Sequence, residues 1–556
     1  MNTVSKGYIE RMKRLFSLIT TAALLFATVS CTSEETPIDE VSETAVEQEV
    51  EYVIALADIA AYTVIRPEKA SDTLVSAVAE LYRELREIDT GIVLRDDYYR
   101  EDLPEYAMGE HEILVGATNR PESAEFLSEL RSRDYGYALV DGKLIVAGTN
   151  EEYTAMAVRE LLKNVVGAER EDGIFYSSSD DRIVSGDYPL NSLKIGGTSV
   201  FDYTIVYDAD GECAERICAE ILAERIADKS GYVLDVVPDT EASAAHTLLL
   251  DCTFGEGSVT VENGGVHLTG GDAEELLSSV NGLGELIAPT VSRDVEVGNG
   301  TYTYPAERET MSAMSFNILC GQLDDYRTDR VLRMIKSYMP DTVGVQEAVP
   351  QWMKLLEDEL GEWYGIVGEG RDGGEDGEYN AILYNKAMFT LIDSGTRWLS
   401  DTPEVTSKVE ESSLNRVFTY ALLERRTDGR RVMLVNTHLE HTSAEARDRQ
   451  SAILCALLPE LAGDCPILLT GDFNAERDTT AYANVLDGGF SDSSEVAAEA
   501  YRAATFTDFG STAANIDYIF VTDTVEVSSY RVCNERIDGE YPSDHHPILV
   551  EYTLGE

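Results

Sequence analysis

Pro466-Ile467-Leu468-Leu469-Thr470-Gly471-Asp472-Phe473-Asn474-Ala475 is the stretch on which the reading of this chain turns. Residues 467–469 form an apolar run behind a proline, the length of a buried strand. Gly471 is expected to let the chain turn sharply as it leaves the sheet. Asp472 and Asn474 stand two positions apart, and on extended backbone their side chains point the same way. A carboxylate and an amide at a strand end suit a hard cation and a phosphate oxygen. A lone Gly-Asp-x-Asn is as readily a polar turn, so the flanking chain has to decide.

It supplies partners in order. Residues 311–318 read as a strand ending on Asn317. The apolar run in Asp341-Thr342-Val343-Gly344-Val345-Gln346-Glu347 delivers Glu347 at its end. Residues 432–435 lead into Asn436-Thr437-His438-Leu439. Asp517-Tyr518-Ile519-Phe520 follows, and Ser543-Asp544-His545-His546-Pro547 precedes a last strand at 548–552. Phosphodiester hydrolysis needs charge neutralised on the phosphoryl oxygens, a water activated in line, and a stabilised leaving oxygen. Oxygen donors such as Glu347 suit Mg²⁺ or Mn²⁺, and a His beside a carboxylate suits proton transfer. Asn380 and Arg416 are candidate phosphate contacts, with a surface ion pair the equal alternative for Arg416. If His545 faces the site, His546 is expected to face away.

On these motifs residues 306–556 resemble the endonuclease/exonuclease/phosphatase superfamily, which includes DNase I-like nucleases, neutral sphingomyelinases and inositol phosphatases. The resemblance implies a four-layer α/β sandwich of two stacked mixed sheets, with the site at one edge. It implies Glu347 as main metal ligand, Asn317 near metal and phosphate, and Asp544 as a further ligand. Asp472 would orient or deprotonate the attacking water or help hold a metal, and Asn474 would bond the phosphate. His545 would lie against the scissile phosphate with Asp517 fixing its tautomer. His438 would contact the phosphate or assist the leaving group.

The first half reads as a duplicated small α/β module, residues 51–185 and 190–305, each in the order β-α-β-β-β-α. Residues 61–65, 90–94 and 112–116 in the first copy answer to 202–206, 230–234 and 247–251 in the second. Turn signals at Asp141-Gly142 and Asn263-Gly264-Gly265 mark paired strands before a closing helix in each. The pattern resembles small α/β domains that precede catalytic domains in some secreted glycosidases, which makes a scaffold or glycan-binding role the expectation. His111, His246 and His267 are isolated and read as ordinary surface or core residues.

Lys13 and Arg14, the apolar run 15–29 and Ser30-Cys31 read as an export signal, too short for a comfortable membrane span. The segment 1–31 resembles a bacterial lipoprotein signal, which makes Cys31 the expected lipidation site and the cell surface the expected location. Residues 32–50, acidic and polar, read as a tether. Seven other cysteines show no CxxC; a zinc site is not supported and disulfides are not predicted.

Across 556 residues, 44 basic side chains face 102 acidic ones, a formal charge of −58. Such a surface repels polyanions, so long nucleic acid is not expected as a tight partner. Phosphoester substrates remain: short nucleic acid, sphingomyelin-type lipid or sugar phosphate. A monoesterase for sugar or inositol phosphates would want more Lys and Arg around the site than the motifs show. The competing class is a non-catalytic binding protein of the cell surface, for glycans or another partner.

Overall fold

The computed structural model describes residues 53–555 except 99–107, 169–172, 244, 254, 263, 290–291, 308 and 322. The export signal, Cys31 and the tether lie outside the described residues. None of the described helices is long and apolar enough to cross a membrane. The chain divides into two compact units, 1–189 with 230–233, and 190–229 with 234–556.

Unit 1 is built on a six-stranded sheet in the order Val93–Asp96, Thr63–Arg66, Glu112–Val115, Lys143–Gly148, Tyr135–Val140, Arg182–Val184. The helix Asp72–Ile88 starts on Ser71, whose hydroxyl accepts from Leu74 N, and buries Leu74, Val78, Leu81 and Leu85. That spacing of three and four residues is one apolar stripe. With Glu151–Leu161 it closes a core containing Val64, Ile113, Val115 and Val146.

Unit 2 contains a sheet of the same order and strand sense: Val236–Pro238, Thr204–Tyr207, Thr247–Cys252, Gly265–Gly270, Ser258–Glu262, Gly300–Thr303. The central strands are parallel and the last two pairings antiparallel in both. Sequence patterning had not assigned the sixth strand of either sheet. It also placed strands at 90–94 and 230–234 that fall at Val93–Asp96 and Val236–Pro238 instead. Apolar content marks these short edge strands weakly, since they bury little. One disulfide was not anticipated: Cys213 and Cys252, 39 residues apart in sequence, are bonded with their Cα atoms 5.9 Å apart. Their partnership crosses from a helix start to a strand end and has no local signature.

The rest of unit 2 is a sandwich of two mixed sheets. One has seven strands: Tyr364–Val367, Tyr379–Asn385, Thr342–Ala348, Met311–Asn317, Ile548–Leu554, Val525–Val532, Glu499–Tyr501. The other has six: Phe389–Trp398, Val417–Arg425, Arg431–His438, Ile467–Asp472, Asp517–Thr522, Phe490–Asp492. Met311, Ala313, Ile382 and Val550 from the first sheet meet Ala421, Leu434, Leu468 and Ile519 from the second in one core. Helices Ala444–Ala462 and Thr480–Asp487 cover the outer face of the six-stranded sheet. Helices Asp325–Tyr338 and Pro350–Leu360 bury Val331, Ile335, Trp352 and Leu356. The helix Glu215–Ser230 of the second module joins them through Arg216–Glu362 at 2.9 Å, Lys336–Glu220 at 2.6 Å and Arg333–Glu224 at 2.9 Å.

Between the two sheets the core is polar at one end. Asn436, fully buried, donates to Val345 O (2.8 Å) and Ala381 O (2.9 Å) and accepts from Gln346 Nε2 (2.6 Å) and Thr470 Oγ1 (3.2 Å). A Cβ on Gly344 would lie 2.2 Å from Thr470 Oγ1, so the sheets approach closely only because residue 344 is glycine.

Candidate active site at the end of the sandwich

Register assembles the site. In the six-stranded sheet His438 pairs with Asp472, and Asp472 with Asp517, so three polar side chains line up across adjacent strands. In the seven-stranded sheet Asn317 and Glu347 end neighbouring parallel strands. Alternation then turns Asn436 and His438, and likewise Thr470 and Asp472, to the same face. That face is the one Asn436 and Thr470 present to the other sheet.

The two sheets meet through Asn317, whose Nδ2 donates to Glu347 Oε1 (3.0 Å) and Asp472 Oδ2 (3.1 Å). Its Oδ1 accepts from Leu319 N at 3.1 Å. Glu347 has φ 63°, a left-handed conformation costly for a side-chain residue, at an irregularity in strand pairing. This backbone aims its carboxylate at Asn317 and at Cys320 N, 2.9 Å from Oε2. Burial favours the neutral acid, but these hydrogen bonds and the charge of His545 outweigh it and lower the pKa of Glu347.

His545 arrives on the segment 541–547, where Ser543 Oγ donates to Asn317 O at 2.8 Å. Its Nδ1 donates to Asp517 at 2.9 and 3.1 Å, and its Nε2 lies 3.8 Å from Asp472 Oδ2. Phe506 packs on the ring, centroids 4.8 Å apart. Burial opposes its charge, yet the carboxylates of Asp517, Asp472 and Asp544 prevail and raise its pKa to about 10. Asp472 goes the other way: burial, then the Asp517 charge, raise its pKa. Burial likewise raises that of Asp544, whose nearest negative neighbour in effect is Glu347.

His438 differs from His545. Its Nε2 accepts from Asn474 Nδ2 at 3.0 Å and lies 3.5 Å from Asp472 Oδ2. Nδ1 is buried and has no hydrogen-bond partner among the described residues. Burial, then the charges of Arg416, His545 and Arg371, hold it neutral. With Nε2 accepting, the single proton is on Nδ1.

The expectation for Gly471 needs correction. Gly471 does not turn the chain: it lies inside Ile467–Asp472, where a Cβ would stand 2.4 Å from Thr437 O. The turn falls at Asn474, φ 48°, stabilised by Asp472 Oδ1 accepting from Asn474 N at 2.8 Å. Asn474, expected to bond phosphate, gives its amide hydrogens to His438 and to Leu439 O at 3.1 Å. Asn380 donates to Val417 O at 2.7 Å and ties the sheets together. Arg416 is no surface ion pair: it is 3% exposed and has no carboxylate within ion-pair distance among the described residues. His546 turns to Thr507 Oγ1 (3.0 Å) and the Tyr541 ring, away from Asp517.

Residues that the motifs did not flag also shape the site. Arg327, buried, donates to Ile318 O (2.7 Å), Leu319 O (2.9 Å), Gly321 O and Pro542 O (3.4 Å), and its guanidinium lies 5.3 Å from the Trp352 ring. It binds together the loops that follow Asn317 and precede Asp544. The sequence signal was faint, a single Arg at the start of an amphipathic helix. Arg371 and Glu378, paired at 2.6 Å, come from a glycine-rich loop.

The donor chemistry fits a hard divalent cation. Donor atoms of Asp472, Asp517 and His545, all buried, lie within 4.8 Å of one another. Glu347 joins them through Asn317, so carboxylates outnumber the one imidazolium among them. A second cluster, Cys213, Glu215 and Cys252, has both sulfurs in the disulfide.

Residues 314–545 match the Endonuclease/Exonuclease/phosphatase family. Nocturnin of Drosophila melanogaster is 26% identical over 320 residues, 45% of this chain and 48% of the relative. The chain thus spans about half the length of the curated relative it matches. Among solved structures, an endonuclease/exonuclease/phosphatase from Bacteroides vulgatus shares 31% identity, 44% of this chain and 99% of that one, TM-score 0.42. A mannosyl-6-phosphatase of Bacteroides thetaiotaomicron shares 28%, covering 44% and 100%, TM-score 0.42. With Glu347, Asp472, Asp517 and His545 gathered where two stacked sheets end, the C-terminal half of this chain is a domain of the endonuclease/exonuclease/phosphatase family.

Proposed function

We propose that this chain is a divalent-metal-dependent phosphoesterase, exported and held at a bacterial membrane by a lipid on Cys31. The observation behind the activity is the convergence of Asp472, Asp517 and His545 from one sheet and its adjoining loop with Asn317 and Glu347 from the other. Support for export comes from the apolar run 15–29 with Cys31 and from the Cys213–Cys252 bond, which persists in oxidising compartments.

Glu347 is the principal metal ligand in this reading, with Asp472 or Asp544 sharing Mg²⁺ or Mn²⁺. The bound cation would neutralise phosphoryl oxygens and lower the pKa of a water. Asp472 would orient the attacking water and accept its proton, a role its raised pKa suits. His545, kept protonated by Asp517, sets a positive charge against the scissile phosphate. His438, neutral and buried beside Asp472, would contact a phosphoryl or leaving oxygen, with Asn474 holding its Nε2. Asn317 spaces Glu347 from Asp472. Phosphodiesters of lipid headgroups or short oligonucleotides fit a site whose surroundings are acidic; a long polyanion does not.

The test is hydrolysis of bis-p-nitrophenyl phosphate by the full chain with Mg²⁺ or Mn²⁺, beside EDTA and His545→Ala controls. Release that needs metal and vanishes in the variant supports the reading. Release unchanged by EDTA would sink metal dependence. A chain inert on diester and monoester alike would sink the activity.

A further inference from the structure

None of the residues that form the candidate active site lines a cleft of about 410 Å³ between the helix Glu215–Ser230 of the second module and the helix Asp325–Tyr338 of the sandwich. That volume is enough for a small molecule, whose sites begin at about 300 Å³. Five carboxylates line the cleft, and each is engaged. Glu220 and Glu359 share Lys336 at 2.6 and 3.6 Å, and Glu224 and Asp329 share Arg333 at 2.9 and 3.5 Å. The fifth, Asp228, acts on Lys229.

Arg225, the third cation of the lining, is different. Its side chain makes no hydrogen bond and no ion pair among the described residues. Burial lowers its pKa, and the one group acting the other way is Cys218, a thiol that its own burial keeps protonated. The arginine stem crosses the helix Ala273–Leu286 at Gly284, where a Cβ would lie 3.6 Å from Arg225 Cδ. Lys229, one turn further on, donates to Gly284 O. Burial and then the Arg225 charge lower the pKa of Lys229, with Glu285 and Asp228 opposing. Of the two neighbouring cations, only Lys229 is thus compensated. A partly buried charge without a partner is unfavourable until a ligand completes it.

One unpaired guanidinium matches one negative charge, and the acidic walls repel a second. The ion-paired carboxylates keep free lone pairs that accept from hydroxyl groups. We propose that this cleft is a second binding site, for a small hydroxylated monocarboxylate of the sugar-acid kind, its carboxylate on Arg225 and its hydroxyls on Glu220, Glu224 and Glu359. A forked guanidinium meets a carboxylate through two parallel hydrogen bonds, which fixes orientation as well as charge. The site lies where the second module meets the sandwich and gives that module a ligand-binding role separate from phosphoester chemistry.

Calorimetry on the full chain, with glucuronate, galacturonate and gluconate as probes, tests the site. EDTA is present throughout, so that no metal can draw a carboxylate to the active site. At least one of the acids should bind about tenfold more tightly than glucose or glucose 6-phosphate, the worth of a charge-assisted hydrogen bond. Arg225→Gln should abolish that difference without lowering the melting temperature, because the side chain it replaces bonds nothing in the free protein. Ala223→Phe fills the cleft and leaves Arg225 in place; it should lose binding too, and it decides the matter if Arg225→Gln melts early. Three outcomes overturn the site: no binding of any of the acids, glucose or glucose 6-phosphate equalling the best of them, or binding that survives in either folded variant.

Discussion

Asn317, at the end of a strand in one sheet, donates its amide to Asp472, at the end of a strand in the other, across 3.1 Å. The same nitrogen serves Glu347 at 3.0 Å, so one side chain holds two carboxylates from separate sheets at a fixed spacing. Replacing it with Ala removes the spacer and should cost roughly ten- to a hundredfold in kcat or Mg²⁺ affinity. Asn317→Asp sets a third carboxylate against two and should do worse. A Mg²⁺ titration of both variants checks this, and Asp outperforming Ala would sink the idea.

Asn436 belongs to the scaffold, although it stands two residues from His438. Asn436→Ala leaves Val345 O, Ala381 O and Gln346 Nε2 without their present partner in a buried layer. The expected loss is about 2–4 kcal/mol, from unsatisfied groups that cost about 1–3 kcal/mol each. Denaturant unfolding measures it. Activity per folded molecule should fall far less than in His438→Ala.

His545 makes the metal-free protein sensitive to alkali. Its folded pKa, about 10, lies above the ordinary value of 6.5. Its contribution is therefore complete below about pH 6.5 and is lost as pH rises toward 10. In EDTA the wild type should lose several degrees of melting temperature between pH 7 and 9.5, and His545→Asn should show a flatter profile over that window. Parallel profiles would remove the assigned role of the Asp517 pair.

The Cys213–Cys252 bond closes a loop of 39 residues in the second module. Chain-entropy reasoning gives a bond over such a loop about 4 kcal/mol. Cys213→Ser or mild reduction should lower the midpoint of unfolding, read by calorimetry. An unchanged midpoint, with both thiols open to alkylation in the untreated protein, would mean the bond is not formed.

Much of the domain was legible along the chain. Short apolar runs ending on Asn317, Glu347, His438 and Asp472 are the sandwich strands, and all four residues meet at the site. The repeated order in the first half appears as two six-stranded sheets of equal topology. Arg371 and Arg327 were not legible, because their work depends on which loops lie beside them. Gln346 and Asn436 sit inside the very motifs that marked the site, yet they bond each other and bridge the sheets. Proximity in sequence to a functional residue did not separate a ligand from a strut.

What the sequence by itself determined is the alternation of apolar and polar positions and the residues placed at strand ends. Hydrophobic burial acts on those patterns locally, and they are enough to specify the strands and the edge at which polar side chains emerge. Only the tertiary structure decided which of them face one another. Strand register paired His438 with Asp472 and Asp472 with Asp517, and the close approach at Gly344 brought Asn317 and Glu347 across from the other sheet. Charge and hydrogen bonding depend on distance in space, so the raised pKa of His545, the neutrality of His438 and the burial of Arg416 exist only once the sheets have stacked.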